Sequence, residues 1–155
     1  MKRSTRPANS KPRRTGALEE AVFLDLLRTT DLLSRRLVPV LKESAVSPAQ
    51  YNVLRILRGA PEGLTCGEIA GRMITRDPDI TRLLDRLEKR ALIFRNREPR
   101  DRRTVLTRIT SKGLRLLGRL DEPVLQAHRK LLGHLGQSRL RKLAALLQAA
   151  RAEAK

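Results

Sequence analysis

The chain has 155 residues, enough for one domain with a core of its own, and carries 34 Lys and Arg against 16 Asp and Glu, a net charge of +18. An excess of this size predicts a polyanionic partner, which leaves DNA, RNA or an anionic membrane surface as candidates. The single cysteine excludes an internal disulfide, no apolar run is long enough to span a membrane, and aromatic residues, at 2%, are too scarce to favour stacking on single strands.

The N-terminal segment, residues 1–16, is basic and has no apolar periodicity. It holds six basic residues and no acidic residue, so it cannot bury enough surface to fold. We therefore expect a disordered basic tail. A solvated extension is the simpler interpretation of this tail, and an arm that touches DNA is the alternative.

A long apolar helix is predicted next, because apolar residues recur at three- and four-residue steps from Leu18 to Leu41. Its apolar face is wide, which indicates cover from its own domain and from another subunit. Pro39 is expected to kink or end this helix within residues 36–38.

Two further helices carry clear start signals. Ser47 followed by Gln50, and Thr65 followed by Glu68, are capping boxes in which each side chain satisfies the other residue's backbone N–H. The second of these helices covers about residues 66–73 and is followed by a turn over residues 74–76. Another helix is predicted from Asp77 to Arg90.

Two helices joined by a turn of this length are typical of a helix-turn-helix. The apolar residues of the second helix fill one face and leave a polar face of mixed charge. The outward residues of that face are Asp79, Thr81, Arg82, Asp85, Arg86 and Lys89.

A β-hairpin is predicted after Ala91, since two β-prone stretches flank a polar tip that contains Pro99. Residues 91–108 contain six arginines and no lysine, and planar guanidinium groups suit phosphates and DNA grooves. A helix-turn-helix followed by such a hairpin is a winged helix. The fold class is therefore mainly α with a small β-hairpin wing.

The remaining residues are predicted to form helices: Thr110 caps one, Pro123 is a candidate kink within it, and Ser138 caps the last. The net charge is zero over residues 17–75, +1 over 76–90, +4 over 91–108 and +7 over 109–155. The excess thus lies in the tail, the hairpin and the C-terminal third. This placement favours duplex DNA as the partner.

Several runs resemble the MarR family of bacterial regulators, and together they cover roughly residues 18–150. They are Ser47–Leu54, Leu64–Ala70, Ile80–Arg90, Asp101–Arg103 and Ile109–Gly113. The resemblance implies a homodimer whose N- and C-terminal helices intertwine. It also implies repression or activation of a nearby promoter, repression being the favoured interpretation, relieved by a small molecule or by oxidation. One departure is Ala91, where the family usually has glycine.

The candidate contacts with DNA fall into two groups. In folds of this type the start of the second helix enters the major groove, so Asp79, Thr81, Arg82 and Arg86 are candidates for base and phosphate contacts. The family pattern Asp-x-Arg falls on Asp101 and Arg103, and by resemblance Arg103 enters the minor groove while Asp101 holds it in place. The other arginines of the hairpin are expected to meet phosphates or to stay solvated: Arg95, Arg97, Arg100 and Arg102.

The resemblance also implies a ligand crevice, and Tyr51 is its candidate contact for a phenolic or other aromatic effector, although core packing is the simpler interpretation. Cys66, near a helix start, is a candidate redox site, with a small packed residue as the plainer alternative. His128 and His134 have no helical metal spacing, so we expect no metal site and no cofactor.

The sequence predicts three regions: a tail over residues 1–16, a dimerisation region over 17–45 and 111–155, and a winged helix-turn-helix over 46–110. The predicted function is a dimeric, cytoplasmic regulator on the bacterial nucleoid, with no membrane partner, that binds a pseudo-palindromic promoter site. The alternative is a non-specific nucleoid- or RNA-associated basic protein. No nucleophile–base pair or phosphate loop is visible, so an enzyme is not predicted.

Overall fold

The computed structural model describes residues 16–98 and 103–153. The tail over residues 1–15 and the wing candidates Arg100, Asp101 and Arg102 lie outside the described residues. In chain order the elements are α1 (Ala17–Lys42), α2 (Pro48–Arg58), α3 (Cys66–Arg72), α4 (Ile80–Lys89), β1 (Ile93–Arg97), β2 (Val105–Ile109), α5 (Ser111–Leu132), a 3₁₀ turn (Gly133–Leu135) and α6 (Gly136–Ala152). The chain divides into two compact units, residues 1–34 and residues 35–155.

The first unit contains the N-terminal part of α1. Most of its large apolar side chains are exposed, and Leu33 is half-buried. The exposed ones are Leu18, Val22, Phe23, Leu24, Leu26, Leu27 and Leu32. An apolar surface this continuous is uncommon on a monomer and marks an interaction site.

In the second unit, α1 continues through Pro39 to Lys42, so the helix does not end within residues 36–38, and the alternative of a kink there stays a prediction. A proline inside a helix removes one backbone hydrogen bond. Leu41 is fully buried and Leu37 packs against the core, and this burial offsets the lost hydrogen bond. Packing therefore carries the helix past the residue that local rules identify as its end.

The predicted caps of α2, α3 and α5 are confirmed. Both capping boxes form, with Ser47 and Gln50 at the start of α2 and Thr65 and Glu68 at the start of α3. The Thr110 hydroxyl accepts from the Gly113 N–H at 3.0 Å. The expectation that Ser138 caps the last helix is wrong, because Ser138 lies inside α6 without capping it. Helix α5 runs through Pro123 to Leu132, so Pro123 lies within the helix as expected, and a kink there stays a prediction.

The helix α4 begins two residues later than its start signal suggests. Asp79 is its N-cap and accepts from the Arg82 N–H at 3.2 Å. The Asp77 carboxylate instead accepts from the Asp79 N–H at 2.9 Å, so residues 77–79 form a turn before the helix. Either aspartate satisfies the local rule for an N-cap.

Helices α1 and α4 end in the same hydrogen-bonded motif, with an alanine at the position where glycine is usual. At the end of α4, the Leu92 N–H donates to the Leu87 carbonyl and the Ala91 N–H to the Glu88 carbonyl, which is a Schellman motif. Ala91 has φ +55°, a left-handed conformation that glycine adopts more readily. Ala45, after α1, has φ +52° in the same arrangement.

The hairpin is antiparallel and pairs Ile93 with Ile109 at its base and Arg97 with Val105 toward its tip. A third segment joins it, because Leu64 and Thr107 exchange both backbone hydrogen bonds, at 3.0 and 2.8 Å. Gly113 fits against the base of the hairpin, since a Cβ there would lie 2.4 Å from the Leu92 carbonyl oxygen. The wing is therefore anchored to the loop before α3 at the middle of β2 and to α5 at its base.

The elements of the second unit pack around one apolar core. It takes residues from the end of α1, from α2, α3, α4 and the wing, and from α5. Helix α5 is also tied to α2 by Arg58, whose Nη1 donates to both carboxylate oxygens of Asp121 at 2.8 and 2.9 Å. Over residues 16–98 and 103–153, none of the helices combines the length and apolarity that crossing a bilayer requires.

Candidate nucleic-acid interface

The exposed face of α4 carries three of the predicted contacts. Leu83, Leu84 and Leu87 are buried, so the opposite face of the helix turns to solvent. Thr81, Arg82 and Arg86 are all exposed on the chain's surface. The four-residue spacing of the two arginines places them one turn apart on the helix.

Asp79 lies at the start of this face as the N-cap of α4. Its carboxylate also lies 3.5 Å from the Arg82 Nε, so it interacts with both the backbone and the side chain of Arg82 in its own helix. An aspartate at a helix N-terminus is stabilised by the helix dipole. The side chain remains 48% exposed, and its predicted contact with DNA stays a prediction.

The wing presents two described arginines to solvent. Arg97 ends β1 and Arg103 precedes β2, and both are exposed. The turn between the strands is closed by a hydrogen bond from the Glu98 N–H to the Thr104 carbonyl at 2.9 Å. The predicted pairing of Asp101 with Arg103 involves a residue outside the described ranges.

Arg95, in the middle of β1 and also a predicted contact, points to α4. Its Nε donates to the Glu88 carboxylate at 3.0 Å and its Nη2 donates to Asp85 at 2.6 Å. Its backbone N–H also donates to Glu88 at 3.0 Å. The hydrogen bonds from Arg95 hold the pKa of the Glu88 carboxyl below its usual range. The hydrogen bond to Glu88 in turn raises the pKa of the Arg95 guanidinium. The side chain of Arg95 is 27% exposed.

The turn of the helix-turn-helix is held by a residue that no sequence pattern singles out. The Asn52 side-chain oxygen accepts from the Ile74 N–H at 2.9 Å and so links α2 to the turn before α4. Asn52 follows the buried Tyr51 in a helix whose apolar residues attract attention first. Only its distant partner, 22 residues away, reveals its role.

A cavity of about 580 Å³ lies beside this turn. Helix α2, the end of α1, the turn and α5 supply its walls: Leu37, Leu41, Ser47, Pro48, Ala49, Tyr51, Asn52, Arg55, Met73, Ile74, Thr75 and His128. The lining is mostly apolar, with a few polar groups, which suits a small organic ligand.

Tyr51 belongs both to the core and to the wall of this cavity. It is only 7% exposed, so the prediction that it packs in the core is confirmed. Burial raises the pKa of its hydroxyl, while the Arg55 guanidinium, 5.8 Å from the ring centre, opposes that shift. His128, on α5, is another polar residue of the lining.

Groups suited to other chemistry are few. Among the residues that the structure describes, no three His, Cys, Asp or Glu side chains lie close enough to hold a metal ion. Cys66 is half-buried at the first position of α3 and packs against the core. The small packed residue is thus what the structure shows, and a redox role of Cys66 stays a prediction.

The chain is similar in sequence and in fold to known proteins of one family. The MarR family model matches residues 46–105. A MarR transcription factor from Planctomyces limnophilus is 39% identical, covers 88% of this chain and 99% of its own, and superposes with a TM-score of 0.66. A mutant MarR from E. coli, solved with operator DNA, is 25% identical over 88% and 99% of the two chains, with a TM-score of 0.75.

A ligand-bound structure is also similar. CouR from Rhodococcus jostii RHA1, solved with p-coumaroyl-CoA, is 26% identical over 88% of this chain and 95% of its own, with a TM-score of 0.75. The helical fold with its two-stranded wing is thus shared with proteins that bind operator DNA or an aromatic effector. The chain belongs to the MarR family of DNA-binding transcriptional regulators.

Proposed function

We propose that the protein is a homodimeric repressor that binds a pseudo-palindromic promoter site and is released from it by a small aromatic effector. It acts on the nucleoid, in the cytoplasm, and has no catalytic reaction of its own. The observation that carries the proposal is the exposed Thr81–Arg82–Arg86 face of α4 beside an arginine-rich hairpin. Such a face reads base edges, and such a hairpin meets the DNA backbone or minor groove.

The proposed division of labour follows the two groups of residues. Thr81, Arg82 and Arg86 contact bases and phosphates in the major groove, and Asp79 organises the start of α4 next to them. Arg103 enters the minor groove, where a narrow A·T-rich segment has an enhanced negative potential. Asp101 holds Arg103 in place, and the remaining arginines of the wing contact phosphates of the DNA backbone: Arg97, Arg100 and Arg102.

We assign residues 46–110 to the DNA-binding domain and residues 17–45 and 111–155 to the dimerisation region. The exposed apolar side chains between Leu18 and Leu32 support the second assignment, because a second copy would cover them. A dimer with two-fold symmetry places two winged helices on half-sites about one helical turn apart. The operator is therefore expected to be pseudo-palindromic.

The effector site is the cavity beside the turn. Its apolar walls suit an aromatic ring, and Tyr51, Arg55 and His128 supply polar groups for a phenol or an acid on that ring. The p-coumaroyl-CoA bound by CouR supports this class of ligand for a related fold. Because Met73–Thr75 also line the cavity, a bound ligand would touch the turn that precedes α4.

The proposal is tested by replacing the wing arginine. We expect Arg103→Ala to lower the affinity for a duplex selected by the wild-type protein from random DNA by about 10-fold or more. The free energy of unfolding should change little, because Arg103 lies on the surface. The measurements are a mobility-shift titration at fixed salt and a urea titration.

Arg139→Ala is the matched control, since it removes the same charge from an exposed position on α6. Equal affinity of Arg103→Ala and Arg139→Ala for the selected duplex would contradict the proposed role of the wing. A wild-type protein that selects no sequence from random DNA would instead favour a non-specific basic protein.

A further inference from the structure

Arg95 stands apart from the other arginines of the wing because its charged group faces the protein. Its Nε and Nη2 both donate to carboxylates of α4, and the side chain is 27% exposed. Arg82, on the face proposed for DNA, is 72% exposed by comparison. A guanidinium whose hydrogen bonds are directed to Glu88 and Asp85 is poorly placed to reach a phosphate at the same time.

The partners of Arg95 lie on the element that reads DNA. Asp85 lies about one helical turn after the exposed Thr81 and Arg82 on α4, and Glu88 lies one turn after Asp85. The arginine belongs to β1, whose pairing with β2 forms the wing. Its side chain and its backbone N–H both bond to Glu88, so one carboxylate fixes the strand and the side chain together.

A two-stranded hairpin has little stability of its own, so its orientation depends on what holds it. On one side the Thr107 backbone pairs with Leu64. On the other side Arg95 joins the middle of β1 to α4. The second link is the one that sets the hairpin relative to the helix that enters the major groove.

We propose that Arg95 is a positioning residue, which holds the wing against α4 through Glu88 and Asp85 so that helix and wing reach their two grooves together, and that it makes no phosphate contact. The inference rests on the proposed DNA interface and replaces the sequence-based expectation for this one residue. Two acidic residues of α4, Asp85 and Glu88, are then needed for binding to DNA, although DNA is itself negatively charged.

The test uses the full chain and a duplex that the wild-type protein has selected from random DNA. We expect Arg95→Ala to lower the affinity at least about 10-fold, because fewer free molecules hold the wing in its binding position. The slope of log affinity against log salt should stay unchanged, because the bound complex keeps its phosphate contacts. A lost phosphate contact would reduce that slope by about 0.9 for each contact. Arg95→Lys should recover only part of the affinity, because an ammonium group cannot match the fork that bonds both carboxylates.

Glu88→Gln separates positioning from electrostatics by the sign of its effect. Removing a negative charge near DNA should strengthen binding if only charge matters. Positioning predicts weaker binding, by about 5-fold or more, because the ion pair that orients the wing is lost. Glu98→Gln, the same change just after β1, is the matched control and should bind as tightly as the wild type or more tightly.

Three results would overturn the inference: a smaller salt slope for Arg95→Ala, an unchanged affinity for Arg95→Ala, or binding by Glu88→Gln as tight as that by Glu98→Gln. Affinities are measured at least about 20 °C below the melting temperature of each variant, so that a loss of stability alone changes nothing. If Arg95→Ala does not fold, Glu88→Gln decides. Failure of the wild type to select a duplex would refute the DNA interface itself, which is a distinguishable outcome.

Discussion

Two alanines occupy backbone conformations that suit glycine. Ala45 and Ala91, with φ of +52° and +55°, each close a Schellman motif at the end of a helix. The Cβ of a non-glycine residue is crowded in this region of backbone space. Each position therefore carries strain that the packing of the next residue must offset, and Val46 and Leu92, which follow them, are both buried.

We expect Ala91→Gly to raise the free energy of unfolding by about 0.5–1 kcal/mol, because the relief of crowding exceeds the extra entropy of glycine in the unfolded chain. The measurement is a urea unfolding curve followed by circular dichroism. Ala70→Gly, inside α3, is the control and should destabilise by about 1 kcal/mol. A loss of stability for Ala91→Gly would show that the left-handed alanine is not strained.

At the scale of the elements, the ion pair between α4 and β1 gives the fold a pH dependence. Arg95 holds the folded-state pKa of Glu88 below its usual value. A depressed carboxyl pKa means that the ionised group stabilises the fold above the unfolded pKa, about 4.3 for glutamate. This contribution is lost as the pH falls through the lower pKa of the folded state.

We therefore expect the wild type to be more stable than Glu88→Gln at pH 7 and the difference to shrink steadily between about pH 5 and pH 3. Thermal unfolding followed by circular dichroism at half-unit pH steps measures both proteins. Glu68→Gln serves for comparison, since Glu68 also has a lowered pKa, from its hydrogen bonds to Thr65. A constant difference between wild type and Glu88→Gln down to pH 3 would contradict the ion pair.

The elements also show what local sequence can and cannot predict. The starts of α2 and α3 are predictable because Ser47 and Gln50, or Thr65 and Glu68, interact within one turn. The start of α4 is missed by two residues because two nearby aspartates satisfy the same rule. Arg95 cannot be assigned in advance, since its partner depends on how the hairpin folds back on α4.

At the scale of the whole molecule, apolar surface and positive charge lie on different segments of the chain, which suggests a different partner for each. The segment of α1 before residue 35 exposes a series of large apolar side chains. The excess of positive charge lies elsewhere, since residues 17–75 contain seven basic and seven acidic residues. A neutral, apolar surface suits association between copies, whereas the basic segments suit DNA.

We expect Leu27→Arg to convert the dimer to a monomer and to weaken binding to the selected duplex by at least about 100-fold, because one winged helix holds half of the contacts. The added positive charge alone would strengthen binding, so the sign is diagnostic. Sedimentation velocity measures the oligomeric state. Thr29→Arg, with the same charge on the same helix, should stay dimeric, and a dimeric Leu27→Arg would refute the proposed interface.

The turn over Met73–Thr75 serves as a wall of the cavity and as the joint that leads into α4, and Asn52 fixes its middle residue. Under the proposed function, a change at any of these three residues therefore affects both the effector cavity and the approach to α4. We expect a substitution that reshapes the proposed effector cavity at this turn also to shift the start of α4, and with it the preferred DNA sequence. Substitutions at this turn should therefore change the preferred ligand and the preferred operator together. Substitutions at Ala49 or His128, on the other walls, should change the preferred ligand alone.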